Sequence, residues 1–286
     1  MKNLILSATF ILLLSPFVKA ATSADTLKFD QRFSRCEKKW VVLNKADTAK
    51  SYMYGYIYID EIAGFTFDLK GHFTIDRSGK YIGDTSSMKY NTIKYRISPN
   101  WNNVAILPPS HFKELNIKKE PDWVKIYYTY KDTVAHNYRL GWVYNDINDS
   151  EMALDYLLPA YQQNPNFKGL EFEISFAYNA LKRYDEAIKF LEGVHKARPD
   201  DILTYRELGY AYLEKGEPAK AIPYYKDGIE KCNDKQLANK AEMAINLAKC
   251  YERLNNKEEA KTWGTKAKQW APEGSTIQKL IVQSGY

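Results

Sequence analysis

The chain has 286 residues, with 41 Lys or Arg against 35 Asp or Glu, and a formal net charge of +6. Hydrophobic residues make up 45% and charged residues 27% of the chain, which is typical of a soluble globular protein. This composition excludes a collagen, a coiled-coil rod, a wholly disordered chain and a multi-helix membrane protein. The length predicts about two domains.

The first twenty residues have the pattern of a secretory signal peptide. Lys2 precedes the apolar run from Leu4 to Leu14, and Val18 and Ala20 are small residues at cleavage spacing. The run is too short to span a bilayer as a stable helix, although an uncleaved anchor is the alternative. We predict cleavage after Ala20, export to the periplasm, cell surface or medium, and no transmembrane segment in the mature chain.

Cleavage would remove Lys2 and Lys19 and lower the formal charge by two, to +4. The remaining basic residues are mixed with acidic ones along the whole chain, so they form no clustered basic patch. Nucleic-acid binding is therefore not expected.

The cysteines are too few for a disulfide-stapled scaffold, since only Cys36, Cys232 and Cys250 occur. We expect Cys232 and Cys250 to be small buried thiols. The four histidines are scattered and complete no zinc site. The chain also lacks the common hydrolase, metalloprotease and nucleotide-binding motifs. We therefore predict no catalytic residue, no metal site and no cofactor.

The second half contains a repeat of 34 residues, starting near residue 134. Four series recur at this spacing: Tyr144, Tyr178 and Tyr212; Ala153, Ala187 and Ala221; Leu157, Leu191 and Tyr225; Leu140, Ile174 and Leu208. Small residues follow the same step at Gly141, Ser175 and Gly209. A fourth copy around Tyr251 is displaced by five residues. A period in this range indicates stacked supersecondary units.

Each repeat predicts a pair of antiparallel helices. The small residue of the first helix lies where the second helix crosses closely, and a proline such as Pro165 or Pro199 ends the second helix. Stacking about four such pairs would bury their apolar faces. The stretch Gly274 to Tyr286 has apolar residues at helical spacing, and we expect it to be a capping helix.

This pattern resembles the tetratricopeptide repeat family over roughly residues 131 to 274. The resemblance implies an α-solenoid whose first helices line a concave, protein-binding groove. The residues that it places in the groove are Tyr138, Trp142, Asn145, Phe172, Phe176, Asn179, Arg206 and Tyr210. Aromatic and Arg side chains often anchor interfaces, and the asparagines can hydrogen-bond an extended backbone.

In the first half, from about Phe29 to Tyr130, the period changes from helical to two. The segment Ser51 to Asp60 places four tyrosines on one face and Met53, Ile57 and Ile59 on the other, which is strand alternation. Further strands are expected at 40–43, 65–69, 72–75, 80–82, 92–97 and 104–107. A short helix is expected near Phe112 to Leu115, and a helix is favoured over a strand at Pro121 to Tyr128.

The sequence thus predicts an α+β protein with three segments. These are a signal peptide at 1–20, an antiparallel β-rich domain with a short helix at 21–130, and a solenoid with its capping helix at 131–286. The combination also resembles envelope proteins of the Bacteroidota that join a short β module to such repeats. Because no Gly/Ser linker separates the halves, packing of the β domain on the solenoid, with the groove filled internally, is an alternative to an open groove.

The predicted function is an exported, non-catalytic scaffold that binds a protein or peptide in the solenoid groove. The alternative is glycan binding or processing by the β domain. There Tyr52, Tyr54, Tyr56 and Tyr58 could stack on sugars, and nearby acids such as Asp60 and Asp76 resemble the carboxylates of glycosidases. Acids at strand ends are, however, more typical of solvated turns.

Overall fold

The computed structural model describes residues 26–86 and 92–286. The predicted signal peptide lies outside the described residues. The chain forms two compact units. The first contains the described residues up to Tyr58 together with Thr66–Arg96 and Trp101–Val124, and the second contains Ile59–Phe65, Ile97–Asn100 and Lys125–Tyr286.

The first half forms an antiparallel sheet. Its strands are β1 (Lys39–Leu43), β2 (Tyr52–Asp60), β3 (Gly64–Ile75), β4 (Tyr81–Asp84), β5 (Ile93–Arg96) and β6 (Val104–Ile106). The order is β4-β3-β2-β1-β6, and β5 pairs with β3 off this path. The long strand β3 pairs with β5 through Thr66–Leu69 and with β4 through His72–Ile75. The antiparallel sheet expected from the sequence is confirmed.

Both faces of β2 are buried, and aromatic rings cover the face that carries its tyrosines. Tyr54, Tyr56 and Tyr58 are each at most 1% exposed, as are Ile57 and Ile59 on the opposite face. The covering rings are Trp40 against Tyr54 and Tyr56, Phe73 against Tyr54, and Trp123 against Tyr56 and Tyr58. The tyrosine face is therefore the packed core of the first unit.

The expected helix near Phe112 to Leu115 is wrong in position. A 3-10 helix occupies Pro109–His111, and residues 112–116 form turns. Proline at its first position favours a helix start there, and Asn116 has a positive φ of 50° that ends the turn. The other ambiguous segment is a 3-10 helix at Asp122–Tyr128.

The second half is an α-solenoid of four antiparallel helix pairs. The pairs are α1 (Thr133–Asp146) with α2 (Ser150–Gln163), α3 (Leu170–Ala180) with α4 (Tyr184–Ala197), α5 (Ile202–Lys215) with α6 (Pro218–Lys231), and α7 (Leu237–Arg253) with α8 (Lys257–Trp270). The first helices of successive pairs contact each other. The helix α9 (Thr276–Gln283) packs on α7 and α8 and buries Ile281, as expected of a cap.

Small residues allow the close crossing within each pair. A Cβ added at Gly209 would lie 2.5 Å from a ring carbon of Tyr225, and one at Gly141 would overlap the Leu157 side chain. Ser175, the equivalent residue in α3, is fully buried, and its hydroxyl donates to the carbonyl of Phe172 at 2.8 Å. The 34-residue spacing of small and bulky residues thus corresponds to a repeated steric contact.

The displacement of the fourth copy has a local cause. A 3-10 helix at Asp234–Gln236 is inserted before α7, and Asn233 stands where the earlier repeats have proline. Asn233 and Gln236 form a reciprocal capping box. The extra residues are thereby absorbed in the loop, and the helix pair that follows keeps its packing.

We predict that Gly209→Ala destabilises the protein by about 1–3 kcal/mol, because the new methyl group meets the buried Tyr225 ring. The matched control is Gly193→Ala in α4, where an added Cβ meets nothing within 4 Å. This control should stabilise by about 0.5–1 kcal/mol through helix propensity. Urea unfolding followed by circular dichroism measures both changes. Equal effects of the two substitutions would contradict the proposed crossing contact.

The three cysteines, all of them described, are free thiols of unequal exposure: Cys36 and Cys250 are buried, and Cys232 is half-buried. Burial raises the pKa of Cys36 to about 11 and that of Cys250 to about 12. Little thiolate is therefore present at neutral pH.

We predict that pulsed alkylation of the folded protein labels Cys232 first, as measured by mass spectrometry. Equally fast labelling of Cys36 or Cys250 without unfolding would contradict this burial.

Candidate functional site

Two adjoining pockets lie between the first helices of the solenoid. The α1–α3 pocket has a volume of about 200 Å³ and is lined by Trp142, Asn145, Asp146, Phe172, Glu173 and Phe176. The α3–α5 pocket has a volume of about 390 Å³ and is lined by Phe172, Phe176, Asn179, Ala180, Arg206, Glu207, Tyr210 and Glu242. The pockets share the two phenylalanines, so together they form one groove.

Seven of the eight groove residues expected from the sequence line these pockets. Tyr138 does not. Its ring packs against Phe167 with centroids 5.1 Å apart, and its hydroxyl lies against Gly169, which has a φ of 88°. Tyr138 therefore supports the loop that precedes α3.

Aromatic side chains at the groove are accessible to solvent. Phe176 and Tyr210 are each 38% exposed, and Trp142 is half-buried. The rings of Phe172 and Phe176 lie 6.3 Å apart. Large apolar side chains exposed side by side are a feature of binding surfaces.

The two groove asparagines are buried and hydrogen-bonded to the next helix pair. The Asn145 amide nitrogen donates to the Glu173 carboxylate at 2.8 Å and to the Glu173 carbonyl at 3.0 Å. The Asn179 amide nitrogen donates to the Glu207 carboxylate at 3.0 Å. Within the described part of the chain, neither Oδ1 atom has a hydrogen-bond partner. Each asparagine thus retains a free acceptor.

Arg206 of α5 makes polar contacts with its own helix and with α7. Its guanidinium donates to Glu207 at 3.0 Å, to Asn239 at 2.9 Å and to Glu242 at 3.3 Å. Burial raises the pKa of Glu207, while Arg206 and Asn179 act to lower it. The α3–α5 pocket therefore contains its own cation beside its buried carboxylate.

The sequence interpretation missed the acidic residues of the groove. Asp146, Glu173, Glu207 and Glu242 all line the pockets. A signal for two of them was present, since Glu173 and Glu207 are 34 residues apart in register with the repeat. Their partners Asn145 and Asn179 have the same spacing.

A third pocket, of about 460 Å³, adjoins Phe172 and Glu207. Charged side chains line it, and Arg198 contacts Glu171 and lies 4.0 Å from Asp201. Two of the acidic groups in this pocket therefore have an arginine of the same pocket as a partner.

The β-domain residues considered for sugars have other contacts. Three of the four tyrosines are buried by neighbouring rings, and Tyr52 is half-buried. Asp60 accepts from the backbone of Ile62 and Ala63 at 2.8 and 2.9 Å, and Asp76 accepts in the same way within its own turn. These two carboxylates stabilise turns, as such residues commonly do.

Within residues 26–86 and 92–286, no group of three or more His, Cys, Asp or Glu residues is arranged to hold a metal ion. In the same range, no helix has both the length and the apolarity needed to cross a membrane.

Stacked helix pairs with a groove along their first helices define a helical-repeat protein. The sequence profile of the tetratricopeptide repeat family matches residues 172–201, 204–230 and 241–273. These three segments are therefore tetratricopeptide repeats, and repeats of this kind stack into extended concave surfaces.

Several solved structures are similar to this chain. TTC0263, a thermophilic tetratricopeptide repeat protein of Thermus thermophilus, is 20% identical with a TM-score of 0.46, covering 54% of this chain and 81% of its own. MamA of Desulfovibrio magneticus RS-1, from residue 41 to its end, is 20% identical with a TM-score of 0.43, covering 48% and 75% respectively. MamA of MSR-1 is 21% identical with a TM-score of 0.41, covering 48% and 76%. Among curated protein sequences, none matches.

We predict that Arg206→Gln destabilises the fold by about 3–5 kcal/mol at neutral pH, because Glu207 would keep a buried charge without its cation. Loss of Arg206 raises the Glu207 pKa further, so the folded state binds the proton more tightly than the unfolded state. Stability of the variant should therefore rise as the pH falls through that pKa, and the deficit should shrink.

Denaturant unfolding at several pH values measures the Arg206→Gln deficit. The control is the double variant Arg206→Gln, Glu207→Gln, which removes both charges and should recover most of the loss. A deficit that is independent of pH, or that persists in the double variant, would contradict this assignment.

Proposed function

We propose that this protein is an exported, non-catalytic scaffold that binds a segment of another protein in the groove formed by the α1–α3 and α3–α5 pockets. The observation that carries the proposal is the exposed aromatic surface of Trp142, Phe176 and Tyr210 between helices that are otherwise well packed. Aromatic anchors in a concave site are typical of interface hot spots.

The groove suits an extended peptide segment. Its two pockets are adjacent, with volumes of about 200 and 390 Å³. Each pocket combines aromatic side chains with a buried asparagine that has a free acceptor. Such an alternation of apolar surface and fixed polar groups binds side chains and backbone together.

Export rests on the signal-peptide pattern of residues 1–20. An exported chain would meet its partner in the periplasm or at the cell surface. The union of a small antiparallel sheet with the repeats is in keeping with the resemblance to Bacteroidota envelope proteins.

The test is crosslinking and pull-down from envelope extract with the double variant Trp142→Lys, Phe176→Lys. Both side chains reach solvent, so the helices should form normally, which circular dichroism checks. We expect loss of specific partner proteins, because two charges would be placed in the aromatic surface. The matched control is Leu254→Lys, Val282→Lys, which charges two exposed apolar residues that line neither groove pocket.

Retention of the same partners by the groove variant would contradict the proposal. Equal loss from both double variants would do so too, because the effect would then follow from added charge and not from the groove. Unfolding of the groove variant alone would assign the two aromatics to internal packing.

A further inference from the structure

The α1–α3 pocket has two acidic groups, Glu173 and Asp146, that form no ion pair within the described part of the chain. Glu173 is 6% exposed, and Asn145 is the hydrogen-bond partner of its carboxylate in the described chain. Asp146 lines the same pocket and is exposed. No ion pair joins either carboxylate to a Lys, Arg or His among the described residues.

The neighbouring pocket shows what is missing. Asn145 with Glu173, and Asn179 with Glu207, are equivalent pairs 34 residues apart. Arg206 supplies the positive charge to Glu207. The residue 34 positions before Arg206 is Phe172. Beside the Asn145–Glu173 pair, the position equivalent to Arg206 therefore holds an aromatic ring instead of a guanidinium.

Among the described residues, the buried side-chain atom of this pocket that has no hydrogen-bond partner is an acceptor, Asn145 Oδ1. The Asn145 amide nitrogen faces two oxygens of Glu173, which fixes the amide orientation, because the reversed amide would bring oxygen against oxygen. Asn145 is 4% exposed, lines the pocket, and has no hydrogen-bond partner at Oδ1 within the described residues. A ligand group that satisfies Asn145 Oδ1 must donate a hydrogen bond.

The local field favours a positive charge. Burial, together with the nearby Glu207 and Asp146 carboxylates, raises the pKa of Glu173 against the lowering effect of the Asn145 hydrogen bond. Asn145 and Asp146 are also the last two residues of α1, where the helix carries partial negative charge. A cation bound there would be attracted by both sources.

The walls of the pocket suit the stem of a long basic side chain. Trp142, Phe172 and Phe176 provide three aromatic rings, and aromatic rings attract cations as well as alkyl chains. Arg139 already stacks on Trp142, with its guanidinium carbon 4.2 Å from the ring centroid. Its nitrogens donate to the carbonyls of Glu61 and Ile62, so this arginine is engaged outside the pocket.

We propose that the α1–α3 pocket binds a lysine or arginine side chain carried by an extended segment of the partner protein. Its ammonium or guanidinium group would donate to Asn145 Oδ1 and to the Glu173 and Asp146 carboxylates, while its stem lies among the aromatic rings. The bound segment would thereby supply to Glu173 the positive charge that Arg206 supplies to Glu207. This inference rests on the proposed peptide-binding function and specifies the partner's chemistry.

A displayed library of random linear heptapeptides tests the proposal, with selection on the folded full-length mature chain. Binders that are lost on the Trp142→Lys, Phe176→Lys variant are groove-dependent. We expect Lys and Arg to be enriched among these binders over the unselected library. Affinities of individual synthetic peptides should fall about tenfold or more when their basic residue is replaced by norleucine, since a charge-assisted contact is lost.

The variant Asp146→Asn, Glu173→Gln should weaken the same peptides about tenfold. Its matched control, Asp155→Asn, Glu258→Gln, changes the net charge equally at two exposed positions away from the pockets. This control should leave affinity unchanged.

A second variant, Phe172→Arg, places a guanidinium beside the Asn145–Glu173 pair, at the position equivalent to Arg206 beside the Asn179–Glu207 pair. It should keep the fold and abolish binding of the basic peptides, whereas Phe172→Leu should retain most of it.

Failures of the two proposals are distinguishable. Groove-dependent binders with no basic enrichment, or equal weakening by both charge variants, would overturn the cation assignment and leave peptide binding in place. A library that yields no groove-dependent binder would overturn both.

Discussion

The solenoid depends on one repeated steric contact, the crossing of the two helices of each pair at a small residue. Gly141 and Gly209 each allow a bulky residue of the second helix to approach the first-helix backbone, and the small residue Ser175 takes the equivalent place in α3. A larger side chain there would separate the helices and open the core between them. The alanines at the centre of the second helices, fully buried at Ala187 and Ala221, depend on the same distance.

The close packing of the first helices also creates the polar chemistry of the groove. Because successive first helices contact each other, Asn145 reaches Glu173 and Asn179 reaches Glu207. Burying these carboxylates is unfavourable unless they are hydrogen-bonded and paired. In the Asn179–Glu207 pair, the Arg206 guanidinium provides the opposite charge for the buried carboxylate. In the other, Glu173 has the Asn145 hydrogen bond but no ion pair with a cation among the described residues.

Aromatic side chains form a buried core in the sheet and a solvent-accessible surface in the groove. In β2 the tyrosines are enclosed by Trp40, Phe73 and Trp123 and build a core. In the groove, Phe176 and Tyr210 have no such cover and remain more than a third exposed. Ring content alone therefore does not distinguish a core from a binding surface. The elements packed over the rings decide between them.

The sequence by itself determined the helix pairs, because their steric contact repeats every 34 residues and needs a small residue opposite a bulky one. It also determined the antiparallel strands through period-two alternation. Of the eight groove residues that it indicated, seven line the pockets. The tertiary structure alone decided the burial of the β2 tyrosines, the different contact of Tyr138 with Phe167, and the bonding of the groove asparagines to carboxylates. The reason is that alternation and repeat spacing specify which residues share a face, whereas contacts between residues of different elements depend on how those elements pack.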